Sequence, residues 1–229
     1  MLDLDLPAPL ELERPDVALY VQAALPPRWE AVIRGVLAVL HDEHGCRAAM
    51  THIPHLTLHP VFFRRRTLID LEACFRALTR TLPSGDVELG PVTAFEQAPG
   101  DISQIIVAVA SPWCERVHAQ LLQGLAQEWD PGDLLSTVLW PQRHRGVGYQ
   151  PHLTLAIGDL PAAPERRGQA LTRASEMYRR LIDVLAPPPR FTITKLQLLA
   201  YRADWHVDRH RLIAGPAVVA SAMLAVEPS

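Results

Sequence analysis

Pro54-His55-Leu56-Thr57-Leu58 returns, letter for letter, as Pro151-His152-Leu153-Thr154-Leu155. With ordinary residue usage, a given pentapeptide recurs by chance in such a chain at roughly a few per cent or less. In an extended strand, side chains at i and i+2 point to one side and the one between them to the other. His55 and Thr57 therefore share a face, with Leu56 and Leu58 opposite. His152 and Thr154 repeat the arrangement, backed by Leu153, Leu155 and Ile157. The pattern predicts two strands that bury their leucines and present His plus Thr to a common cleft. Roughly a hundred residues separate the copies, far more than a solenoid period. That spacing suits two similar lobes, each supplying one motif strand.

Working outward, Pro and Gly punctuate the chain into clear segments. Residues 1–15 are acidic and Pro-containing and read as an N-terminal arm, leaving 16–229 as one bilobal domain. A strand over 17–25 is closed by Pro26-Pro27. A helix comes next over 28–44, with Trp29, Val32, Ile33, Val36, Leu37 and Leu40 at helical spacing. The first motif strand spans 53–63, and Leu68, Leu71, Phe75 and Leu78 form the stripe of a helix over 67–82. Strands over 87–96 and 102–110 flank a turn at Pro99-Gly100. Ser111-Pro112 is a helix start, Ser as N-cap and Pro at the first position, for a helix reaching about residue 129. Residues 130–149 read as a long loop. The second motif strand spans 150–157, a helix spans 164–185 and stops at Pro187-Pro188-Pro189, and strands over 191–203 and 209–219 close the chain. Mixed elements with several adjacent strand pairs predict an α+β fold with antiparallel sheets.

The 229 residues are enough for a substantial core, and 48% hydrophobic with 21% charged is ordinary globular composition. A net charge of −3 argues against broad binding to nucleic-acid backbone, though not against a local basic site. Aromatics at 6% argue against extended base-stacking platforms. Cys46, Cys74 and Cys114 are odd in number and form no C-x-x-C, which points to a reducing, cytoplasmic setting rather than a disulfide framework. Cys74 and Cys114 read as small buried residues of helices. No basic-then-apolar leader opens the chain, and no apolar run reaches membrane-spanning length.

Two imidazoles facing each other across a cleft can divide the labour of phosphodiester cleavage. With an ordinary pKa of ~6.5, one accepts a proton from the attacking water or hydroxyl while the other protonates the leaving oxygen. A Thr hydroxyl two residues along donates to a non-bridging phosphate oxygen without adding a competing base. This chemistry needs no metal or other cofactor. His52, His55 and His59 loosely resemble ligand spacing, but Pro54 and strand geometry keep the three from converging, and no Asp or Glu lies within the motif. His59 is expected on the face of His55 and Thr57.

The paired motifs, each after a proline in a strand-like run, resemble the 2H phosphoesterase superfamily of 2′-5′ RNA ligase-like proteins and RNA 2′,3′-cyclic phosphodiesterases. The first copy continues as His59-Pro60-Val61-Phe62-Phe63, similar to that family's first motif and the proline–aromatic stretch after it; the second begins Tyr149-Gln150-Pro151. The likeness runs over about residues 15–219. It implies a bilobal α+β fold with pseudo-two-fold symmetry, helices on the outer faces and a central groove holding both motifs. It implies metal-independent hydrolysis or transfer at 2′-linked or 2′,3′-cyclic phosphates of RNA ends or small nucleotides, with a monomer and no membrane. By position it makes His55, Thr57, His152 and Thr154 catalytic, with His55 as acid to the leaving 2′ oxygen and His152 as base. Substrate contacts are expected from His59, from Arg64 in the run 64–66, and from Arg143, Arg145 and Tyr149 before the second motif. Trp140, Tyr201, Trp205 and His206 are further candidates. The alternative is a binding module that captures an RNA end or phosphorylated nucleotide without turnover.

Overall fold

Strand and helix follow one another in the order the punctuation dictates. The computed structural model describes the backbone of residues 17–47, 54–61, 68–96, 99–125, 149–206 and 209–225, and their side chains apart from 17–19, 59–61, 68–71, 122–125, 200–206 and 209–216. The elements are β1 (Val17–Ala24), α1 (Pro27–His44), β2 (His55–Val61), α2 (Leu68–Thr79), β3 (Gly85–Glu96), β4 (Ile102–Ala110) and α3 (Pro112–Leu125). After them come β5 (His152–Ile157), α4 (Pro164–Leu185), β6 (Arg190–Ile193), β7 (Lys195–His206) and β8 (Arg209–Met223). The arm over 1–15 and the loop over 130–148 lie outside the described residues.

The strands form two four-stranded antiparallel sheets, ordered β2-β1-β7-β8 and β5-β4-β3-β6. Each half of the chain runs strand, helix, motif strand, helix: β1-α1-β2-α2, then β4-α3-β5-α4. The motif strands are the edges of their sheets and pack against each other. Helix α3 lies against β2, and α1 against β5, so each motif strand is covered by the helix of the other half. The result is an α+β, bilobal, pseudo-two-fold architecture.

The symmetry extends to single side chains. The six apolar residues of the predicted α1 stripe are all buried. Trp29, in the first turn of α1, donates its indole N–H to the Pro188 carbonyl at 2.9 Å. Trp113, in the first turn of α3, donates to the Pro83 carbonyl at 2.8 Å. Each proline sits just before a strand of the second sheet, β6 or β3, so both indoles bury their rings and satisfy their one donor in the same way. Ser111 caps α3 as expected, its Oγ accepting from the Cys114 N–H at 3.2 Å.

Three expectations need correction. The segment 191–203 is not one strand: it breaks at Thr194, with β6 in the second sheet and β7 in the first. The Leu224 N–H donates to the Thr194 carbonyl at 2.8 Å, holding the crossing point. Helix α2 ends at Thr79, whose hydroxyl bonds back to the Phe75 carbonyl at 2.8 Å, so Leu82 lies beyond it. Cys74 is half-buried, whereas Cys46 and Cys114 are buried. Burial pushes the thiols of Cys46 and Cys114 up to about 11, which keeps both as inert packing groups. Among the described residues, no helix is long and apolar enough to cross a membrane.

Gly85 opens β3 directly under the Trp113 indole. A Cβ there would lie 2.1 Å from Trp113 Cγ. Gly85→Ala is expected to destabilise the fold by about 1–3 kcal/mol or more through overpacking, read as a lower denaturant midpoint with an unchanged slope.

Candidate active site

Both motif strands obey the same local register. His55 stands opposite Ala24 and Thr57 opposite Gln22 across β1–β2. His152 stands opposite Ala108 and Thr154 opposite Ile106 across β4–β5. Leu56, Leu58, Leu153 and Leu155 are buried, while the two histidines and two threonines are half-buried. The alternation read from the sequence is therefore real over each pentapeptide. Cross-strand partners share a face, so an alanine beside each imidazole leaves room above the sheet.

Immediately after each threonine the register slips by one. The pairing steps from Gln22–Thr57 to Val21–His59, and from Ile106–Thr154 to Ile105–Ala156. Leu58 and Leu155 are the extra residues of two matching β-bulges, and a bulge reverses the facing of the residues beyond it. In β5 the consequence is visible: Ala156 is buried, and Ile157 is 37% exposed instead of backing the core. His59 occupies the position equivalent to Ala156, opposite the buried Val21. Its side chain, expected beside His55 and Thr57, lies outside the described residues.

His152 is held by two contacts. Its Nδ1–H donates to the Gln150 carbonyl at 2.7 Å, which makes Nε2 the basic nitrogen of the neutral ring. The Phe95 ring meets it edge-on, with centroids 5.2 Å apart and planes at 89°. The Gln150 carbonyl is thereby engaged locally, and β5 begins at His152 rather than at 150. His55 Nε2 lies 3.1 Å from Thr57 Oγ1, so imidazole and hydroxyl of the first motif are already in mutual contact.

A third group ties the halves together at the first bulge. The Tyr149 hydroxyl donates to the Thr57 carbonyl at 2.9 Å. His118 Nδ1–H, from α3, donates to the Leu58 carbonyl at 2.7 Å. The two rings stack, 4.0 Å between centroids and 7° between planes. Tyr149 precedes the second motif yet bonds to the backbone of the first. Burial pushes its phenol well above the ordinary range, so it remains a donor.

Arg64, Arg143 and Arg145 lie outside the described residues, as do His52 and the side chains of Tyr201, Trp205 and His206. Among the described residues, no cluster of three His, Cys, Asp or Glu side chains could hold a metal.

A model of the 2′-5′ RNA ligase superfamily matches residues 24–205, a span that includes both motifs and the strands beside them. The chain belongs to this superfamily, the 2H phosphoesterase superfamily that its paired motifs resemble. Its fold is similar to that of TT0787 from Thermus thermophilus, at 18% identity and TM-score 0.59, over 92% of this chain and 100% of that one. It is also similar to a conserved Agrobacterium tumefaciens protein of unknown function, ATU0111, at 12% identity and TM-score 0.50, over 92% and 89% of the two chains. E. coli LigT, crystallised with NADP+, aligns at 15% identity and TM-score 0.49, over 92% and 98%. No curated protein matches the chain in sequence.

Sequence reasoning missed Phe95, His118 and Gln22. His118 did carry a signal: it falls on the stripe of Trp113, Cys114, Val117 and Leu121, all buried, where a polar residue needs a partner. Gln22, also fully buried, interrupts the apolar run of β1. Phe95 had no local signal, because its contact with His152 is long-range.

The tie has two measurable consequences. Tyr149→Phe leaves the Thr57 carbonyl without its donor and should cost about 1–3 kcal/mol by equilibrium unfolding. Burial lowers the His118 pKa, and its bond to the Leu58 carbonyl only partly opposes this. The unfolded chain then binds the proton more readily, so stability rises with pH through the region below ~6.5 and is lost on acidification. His118→Gln should flatten that part of the stability–pH curve.

Proposed function

We propose that this chain is a metal-independent phosphoesterase acting on 2′,3′-cyclic phosphates or 2′-5′ linkages of RNA ends or small nucleotides. The observation that carries the reading is the duplication: two His-x-Thr strands with the same register, the same alanine neighbour and the same bulge, packed edge to edge. Membership of a superfamily of phosphoesterase- and ligase-like enzymes supports it, and the tautomer of His152 fits a base.

In this scheme His152 Nε2 removes a proton from water as its oxygen attacks phosphorus. His55 gives a proton to the departing ribose oxygen, and the phosphorus–oxygen bond to that oxygen breaks. Thr57 and Thr154 donate to the non-bridging oxygens, where negative charge builds. The imidazoles end with their protonation exchanged, and solvent restores them. Burial holds the thiols of Cys46 and Cys114 protonated, which argues against either as a nucleophile.

The test is turnover of a 2′,3′-cyclic nucleotide and of 2′-5′ and 3′-5′ dinucleotides in EDTA, with products separated by isomer. Wild type should be active. His55→Ala and His152→Ala should each lose about 10²–10⁴ in kcat, the usual contribution of general acid–base catalysis. The rate–pH profile should be bell-shaped. Equal turnover by all three proteins would remove the assignment; binding with no product from wild type would make the chain a binding module.

A further inference from the structure

The register places one more charged group on the face of the first sheet that carries His55 and Thr57. Leu56, Ala23 and Leu196 form one cross-strand row, all buried on the helix-covered side. The flanking rows therefore face the groove. One runs Thr57–Gln22–Gln197–Ser221 across the four strands. Continuing the β1–β7 register by one residue sets Ala24 beside Lys195, so the other row runs His55–Ala24–Lys195–Met223. Met223 is 69% exposed and His55, Ala24 and Lys195 are half-buried, so this end of the sheet face is open.

Lys195 is the only lysine in the chain; every other member of its 22 lysines and arginines is an arginine. It is the one cation among the described side chains on this face of the sheet. No carboxylate pairs with it among the described residues. At ~4.8 Å per strand, its Cα lies about 10 Å from that of His55. In that row Ala24 is the one residue between them, and the lysine stem is long enough to reach past its methyl group. Lys195 begins β7 just after the crossing point at Thr194, where the bond from Leu224 holds the backbone.

Resting on the phosphoesterase reading above, we propose that Lys195 binds the substrate phosphate at His55 and Thr57 as a fixed positive charge. Phosphoryl transfer through a pentacoordinate arrangement gathers negative charge on the non-bridging oxygens. The threonines are neutral donors, and the acid imidazolium gives its charge away as the bond breaks. An ammonium that keeps its charge throughout supplies what they lack. As a compact charge with three donors on a flexible stem, it fits over an alanine without the bidentate plane an arginine would need.

The single lysine makes a direct experiment possible. An amine-acylating reagent labels only Lys195 and any α-amino group, and mass spectrometry separates the two. Adenosine 2′,3′-cyclic phosphate should slow acylation of Lys195 in the wild-type protein while leaving the α-amino rate unchanged. Lys195→Met should lose about 10- to 100-fold in kcat/KM, the range of one charge-assisted hydrogen bond, and Lys195→Arg should recover part of it. Unshielded labelling together with unchanged kcat/KM in Lys195→Met would overturn the proposal, and it would leave the phosphoesterase reading intact if His55→Ala and His152→Ala are inactive. Shielding of Lys195 in a protein that turns over none of the substrates would uphold the phosphate site and overturn the hydrolytic reading.

Discussion

The β-bulge after each threonine is the constraint from which the rest of the site derives. A strand that ran on unbroken would keep every second residue in the groove. In β5 the bulge returns the position after Thr154 and Leu155 to the core side, as the buried Ala156 shows. It also disturbs the ladder at a half-buried edge strand, where backbone carbonyls need donors. In the first half those donors are Tyr149 and His118, both from the second half. The local irregularity that shapes one motif is thus stabilised by the segment that leads into the other. The first half does not complete its own motif.

Such interdependence explains the topology. β3 comes after α2 in the chain but pairs in the second sheet, and β7 comes after α4 but pairs in the first. Helices are exchanged likewise, α3 onto β2 and α1 onto β5. The two indole bonds, Trp29 to Pro188 and Trp113 to Pro83, fasten the start of each helix to a chain segment beyond the last helix of the other half. Closing such distant contacts is entropically costly. Burial of the motif leucines and of both tryptophans offsets it. The groove is therefore framed by contacts of long sequence separation.

Legibility in the sequence tracked the range of the interactions. The ends of α1, α3 and α4 were readable because Pro26-Pro27, Ser111-Pro112 and Pro187-Pro188-Pro189 act on the backbone within a residue or two. The leucine faces of both motifs were readable because period-two alternation is local. Ile157 was misplaced because the bulge that turns it outward is a property of pairing with Ile105 and Ile106, not of β5 alone. The split at Thr194 was invisible for the same reason: Phe191, Ile193, Leu196 and Leu198 are all buried, but the core they enter changes sheets between the second and third. His118 could be singled out as a polar residue on an apolar helix face, yet its partner, the Leu58 carbonyl, could not be named without the fold.

The symmetry of backbone is not a symmetry of chemistry. Beside Thr57 stands the amide of Gln22, with Gln197 and Ser221 continuing the row; beside Thr154 stands Ile106. Beyond Ala24 the first sheet places Lys195. Beyond Ala108 the second sheet has Gly90, where an added Cβ would already press on Ala108 at 3.4 Å. Phe95 then meets His152 edge-on. Among the described residues, the row beside Thr57 is polar, whereas Thr154 and His152 stand beside apolar and aromatic groups. Two copies of one pentapeptide thus acquire different surroundings from the strands beside them.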